Sequence, residues 1–184
     1  MLWIILGIII ILFLIFYVVT YNSLVRARIW VKEAWSQIDV QLKRRNDLIP
    51  NLVETVKGYA KHEQETFEKV IQMRNQLTQV SSENHEEQIQ LSNQLSDTLK
   101  TIFALSESYP DLKANQNFIQ LQEELATTEN KIAYARQLYN SSVATFNSKL
   151  ESFPSNIVAN IHNFKSEALL EIPLEEKKVP NISF

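Results

Sequence analysis

The chain has 184 residues, enough for one ordinary domain and an anchor, with a net charge of −3, two glycines and no cysteine. So little glycine argues against sheets and sandwiches, whose tight turns need positive φ, and favours long helices with short joints. The absence of cysteine excludes a disulfide scaffold, thiol chemistry, Cys-ligated zinc and a lipoprotein acylation site; the charge offers no basic field for nucleic acid.

The first element is an apolar run from Leu2 to Val19, containing Gly7 and Phe13 and no charged side chain. Eighteen residues at ~1.5 Å per residue span roughly 27 Å, close to the ~30 Å hydrocarbon thickness of a bilayer. Trp3 lies near one end and Tyr17 and Tyr21 near the other, where interfacial aromatic belts form. A cleaved signal peptide fits less well: no Lys or Arg precedes Arg26, and Thr20-Tyr21-Asn22-Ser23 is a poor cleavage site. Arg26, Arg28 and Lys32 follow the run, so the positive-inside rule predicts the N-terminus outside and the rest of the chain in the cytoplasm.

From Asn22 to about Ile49 the apolar residues Leu24, Ala27, Val31, Ala34, Ile38 and Leu42 recur at three- and four-residue steps, which predicts a helix continuing out of the membrane. Lys43-Arg44-Arg45 suits a helix C-terminus, and Pro50 the first turn of the next helix. The residue before a proline avoids the α region, so a reversal or kink is expected between Asp47 and Ile49. A second helix then runs from Pro50 to about Val80, with Gly58 as a bend. Asn84 and Glu87 form a plausible N-cap pair for a third, which carries Leu91, Leu95, Leu99, Ile102 and Phe103 and ends before Tyr109-Pro110. The fourth is predicted from about Asp111 to Phe153, with Phe118, Leu121, Leu125, Ile132, Ala135, Tyr139, Val143, Phe146 and Leu150 at near-heptad spacing, and Pro154 stops it. A short turn follows from Asn156 to Phe164, and then an extended or disordered tail. The expected architecture is all-α: a transmembrane helix at 1–21, an antiparallel four-helix bundle with long helices at 22–154, and a terminal segment at 155–184.

Two polar stripes share these helices. Asn22, Arg26, Glu33, Gln37 and Arg44 are spaced by four and seven residues, as are Glu129, Arg136, Asn140 and Asn147, which puts each set on one helix face. They are either solvated faces or a polar layer or partner surface. A buried version demands thorough mutual pairing. No catalytic pattern emerges: His62-Glu63 begins a zincin motif, but Thr66 stands where its second histidine belongs. No residue three before His62, His85 or His162 is the glutamate of a bundle di-iron site. No cofactor is expected, and the three histidines read as ordinary residues.

The stretches Tyr21-Asn22, Glu33-Ala34-Trp35-Ser36-Gln37-Ile38-Asp39, Lys43-Arg44-Arg45 and Asp47-Leu48-Ile49-Pro50-Asn51-Leu52-Val53 resemble the signature of the bacterial LemA family. Tyr109-Pro110-Asp111-Leu112, Glu129-Asn130-Lys131-Ile132, Tyr134-Ala135-Arg136, Tyr139-Asn140 and Phe153-Pro154 continue the resemblance. It implies one N-terminal span, a helical bundle, and no established enzymatic activity or cofactor. Some members are encoded near membrane metallopeptidases, so a place in a membrane protein-quality or signalling complex follows as an expectation. The joint residues Arg45, Asp47, Pro50 and Asn51 are read either as a partner surface or as the corner that sets the topology. An alternative function is a membrane-organising homo-oligomer or lipid contact, with Ala144, Phe146, Leu150 and Phe153 available on the fourth helix, and a second is a hydrolase using scattered carboxylates.

Overall fold

A computed structural model describes residues 1–81 and 84–171. Among the described residues six helices follow in order: α1 Leu2–Lys57, α2 Gln64–Gln79, α3 His85–Ser106, α4 Pro110–Lys113, α5 Gln116–Glu151 and α6 Ser155–Ile161. No strand occurs among the described residues, so the protein is all-α. The helical stripes read from the sequence are the core. Leu24, Ala27, Val31, Ala34, Ile38 and Leu42 are all buried on α1, as are Phe118, Leu125, Ile132, Ala135, Tyr139, Val143 and Phe146 on α5. The expected extended tail falls largely on residues 172–184, outside the described residues.

The chain forms two compact units, one of Met1–Gln37 with Ala135–Leu169 and one of Ile38–Tyr134 with the residues from Leu170. In the second unit a single apolar core gathers Ile49, Leu52, Val53 and Val56 of α1, Phe67, Val70 and Leu77 of α2, Leu95, Leu99 and Ile102 of α3, Leu112 of α4, and Phe118 and Leu125 of α5. In the first unit Leu24 of α1 packs with Val158 and Ala159 of α6, flanked by Tyr17, Tyr21, Leu150 and Phe164. Trp35 meets Tyr139 edge-on, with ring centroids 5.6 Å apart.

The expected break before Pro50 does not occur. α1 passes through the proline without ending, and the chain turns only after Lys57, over Gly58 to Glu63. An interior proline costs about 3 kcal/mol through its missing N–H and its ring clash. Against this, Ile49, Leu52 and Val56 are each 0% exposed. Burying an aliphatic side chain contributes about 1.5–3 kcal/mol, so three on one continuous stripe outweigh the penalty. Pro50 itself faces solvent, and the orphaned group lies one turn back. Asn46 O, the carbonyl that an N–H at position 50 would have capped, accepts a hydrogen bond from Arg74 Nε of α2 at 3.2 Å. A neighbouring helix thus supplies the donor that the proline lacks, and Arg74 becomes a cross-tie.

Smaller differences follow local chemistry. The helix expected from Asp111 is divided, because Asn115 leaves the helix and caps α5 by accepting from Phe118 N at 3.1 Å. The Asn84 cap is present: its Oδ1 accepts from Glu87 N at 3.3 Å and its Nδ2 donates to Glu87 Oε2 at 2.6 Å.

If Arg74 replaces the donor lost at Pro50, then Arg74→Met lowers stability by about 1–2 kcal/mol. In a Pro50→Ala background, where an N–H returns to Asn46 O, the same change costs less by at least about 0.5 kcal/mol. Thermal unfolding of the four proteins in detergent, followed by helical circular dichroism, measures the coupling; strict additivity contradicts this reading of α1.

Candidate functional site

Arg45 is the largest side chain wholly removed from solvent, at 0% exposure. It lies on the apolar stripe of α1, three residues after Leu42 and four before Ile49. An arginine cannot shed its charge to ease such burial, so its surroundings must supply acceptors. They come from two other helices of the same unit. One terminal nitrogen, Nη1, donates to Ser96 Oγ at 2.8 Å and to Glu129 Oε2 at 3.0 Å. The other, Nη2, donates to Ser92 Oγ at 2.8 Å and Ser92 O at 3.2 Å. Ser96 Oγ in turn is placed to donate to Glu129 Oε1 at 2.6 Å, so both oxygens of that carboxylate are engaged. Only Nε of Arg45 lacks a partner among the described residues.

Burial draws the Arg45 pKa below its ordinary value, while the charge of Glu129 and its hydrogen bond push in the opposite direction. The shift starts from so high a value that the guanidinium stays charged across the neutral range. Glu129 is the wetter partner, its side chain 42% exposed. The network is therefore a clamp of fixed charge across α1, α3 and α5, and its donors are spent on groups of the protein itself.

The residues singled out in the sequence separate into four groups. Asn22, Arg26, Glu33, Gln37 and Arg44 on α1 all face solvent, as do Asp47, Pro50 and Asn51. Glu129 belongs to the Arg45 clamp. Asn147 holds the chain's own C-terminal segment: its Nδ2 donates to Glu167 O at 2.8 Å, and its Oδ1 accepts from Glu167 N at 3.1 Å. Arg136 and Asn140 lie half-buried on the same helix. Nearby, burial raises the pKa of the Tyr139 phenol, and Glu167 adds to the effect. Its hydroxyl lies 3.4 Å from Ala168 O, a long donor contact.

Arg45 entered the sequence reading as a joint residue, not as the centre of a network. The signal that finds it is register: a basic residue occupying a three-four apolar step. Ser92 and Ser96 carried no such signal, since serines at polar-looking positions of a helix are usually solvated.

The first unit has an open groove of about 290 Å³ lined by Trp30, Glu33, Ala34, Gln37, Leu138 and Ser141, with Ser142 and Thr145 closing it. Trp30 remains 52% exposed there. Two stripe residues, Glu33 and Gln37, thus border a groove with an exposed indole. Among the described residues no three His, Asp or Glu side chains come together as a metal ligand set.

The sequence profile of the LemA family matches residues 34–184. The chain belongs to the LemA family. Protein LemA of Metamycoplasma hominis is similar to it, 28% identical over 176 residues that cover 92% of this chain and 80% of the relative. The family match takes in the Arg45 clamp and the α5 and α6 helices, while residues 1–33 precede it.

Removing Glu129 leaves a buried cation with only hydroxyls and one carbonyl, whereas removing Arg45 leaves a carboxylate that water can reach. We therefore expect Glu129→Ala to destabilise by on the order of 2–3 kcal/mol, somewhat under the value for a fully buried pair, and Arg45→Met by less. Thermal unfolding of both variants checks the order; a larger loss for Arg45→Met means that packing, not charge, sets the value of the clamp.

Proposed function

We propose that this LemA-family protein is a non-enzymatic, membrane-anchored helical module that acts as a scaffold or interaction partner in a membrane-associated complex. The observation that carries this reading is the first third of α1. It is long and apolar enough to cross a membrane, and its most apolar stretch is 0% buried within the protein. Ile4, Phe13 and Val19 are 68%, 64% and 58% exposed. An apolar helix of a soluble core would be covered by its own fold; this one needs lipid. The basic cluster Arg26, Arg28 and Lys32 just after the run supports a cytoplasmic helical domain with the N-terminus outside.

Beyond the anchor, the best-organised polar constellation is internal and structural. The groove at Trp30 and Leu138 leaves apolar surface available on the tethered unit, with the stripe residues Glu33 and Gln37 at its edge. Those features support recognition more than chemistry. The partner is a protein of the same membrane, a membrane metallopeptidase being one such class and a second copy of the chain another.

A photo-crosslinking residue placed at Leu138 or Ser141 of the full chain, at native expression in intact bacteria, tests this. A discrete adduct from these positions and none from solvent-facing Glu123 is the expected outcome. No adduct at either groove position removes the interaction reading. Fractionation is an independent check: the full chain sediments with membranes and resists carbonate extraction, and its release by carbonate contradicts the anchor.

A further inference from the structure

We propose that α6 and the turn before it form a second membrane contact, an apolar foot lying in the lipid interface beside the spanning helix. This rests on the reading of Leu2–Val19 as a span, and all the groups concerned belong to the first unit.

The placement comes from the inner face of α6. Val158 and Ala159 are each 2% exposed and pack on Leu24, with Tyr17 and Tyr21 against the same cluster. At the end of α6, His162 Nε2 lies 2.7 Å from the Tyr17 hydroxyl, and its ring sits 4.5 Å from that of Tyr21. Tyr17 is inside the apolar run, two residues before its end. On the preceding helix, Lys149 Nζ donates to Ser23 Oγ at 2.6 Å, so α5 ends alongside the first polar turn after the run. The segment from Ser152 to His162 is thereby held at the level where the span leaves the hydrocarbon.

What α6 does with its other face is the second observation. Ile157 and Ile161, one helical turn apart, are 52% and 59% exposed, and Phe153 in the preceding turn is 79% exposed. Three large apolar side chains left open on an eleven-residue stretch are unusual for a surface facing water. They stand on a segment packed against the end of an equally exposed apolar run. The occupant is therefore the bilayer itself: α6 is held at the end of the apolar run whose exposed face is read as a membrane span. Cationic groups stand where headgroups would be, with Arg28 4.9 Å from the centre of the Phe164 ring and Lys165 next in sequence. A seven-residue helix has little membrane affinity alone, but fixed by Val158 and Ala159 to a spanning helix it meets the interface as an intramolecular event.

This places lipid contact differently from the sequence expectation. Of the residues named there, Phe146 is 0% exposed and Leu150 is half-buried against the α6 cluster, so both serve the core; Ala144 is exposed on α5 but small, and Phe153 is the large apolar residue that remains, joined by Ile157 and Ile161.

The chain has no cysteine, so single cysteines can be introduced and spin-labelled in the full protein reconstituted in lipid vesicles. Phe153→Cys, Ile157→Cys and Ile161→Cys probe the foot, Asn160→Cys the polar face of α6, Phe13→Cys the span and Gln137→Cys an aqueous reference. Relaxation by oxygen, which partitions into lipid, is compared with relaxation by a polar nickel chelate. We expect the oxygen-to-nickel accessibility ratio at 157 and 161 to exceed that at 137 several-fold, with 160 lower than both. A water-like ratio at 157 and 161 with a lipid-like one at 13 overturns the foot and leaves the anchor standing. A water-like ratio at 13 overturns both. Low accessibility to both reagents at 157 and 161 means that protein covers the face, and it equally overturns the proposal.

Discussion

A guanidinium in an apolar interior cannot be left without acceptors, and in this protein one such group governs how three helices meet. Arg45 sits at 0% exposure on the apolar stripe of α1, so α3 must bring Ser92 and Ser96 to it and α5 must bring Glu129. Greasy side chains tolerate a slide of one helix along another far better than a network with defined donors and acceptors does. A slip of α5 by one turn would move Glu129 about 5.4 Å and strand the charge. The clamp therefore specifies register, while the surrounding leucines, isoleucines and valines supply the bulk of the stabilisation.

The same logic of orphaned groups explains how α1 runs past its proline. The helix carries three fully buried side chains around Pro50, and Arg74 reaches from α2 to the one carbonyl the proline abandons. Two arginines thus serve the second unit in different ways, one as a buried charge that must be answered, the other as a donor that answers a backbone defect. This inward use of polar groups, together with an apolar run left uncovered among the described residues, is what supports the proposal of a tethered recognition module.

In the first unit the polar residues of α5 hold down the chain's own C-terminal segment. Asn147 makes a reciprocal amide pair with the backbone of Glu167, and Arg28 lies over Phe164. Those contacts accompany the packing of α6 against Tyr17 and Tyr21, which leaves Phe153, Ile157 and Ile161 exposed.

The family membership, the all-α class, the apolar run and nearly every core position of α1 and α5 were legible in the sequence, because helical periodicity and hydrophobic length are local properties. Leu24 to Leu42 and Phe118 to Phe146 announce their buried face by spacing alone. What spacing could not decide is which polar residues lie against which. Arg44 and Arg45 are chemically alike neighbours, yet a turn of about 100° sends the first to solvent and the second into the core. Whether Pro50 ends a helix depends on the burial of Ile49, Leu52 and Val56 and on a donor twenty-four residues later in the chain. Those outcomes belong to the tertiary structure, since they are settled by groups distant in sequence that only packing brings within hydrogen-bond range.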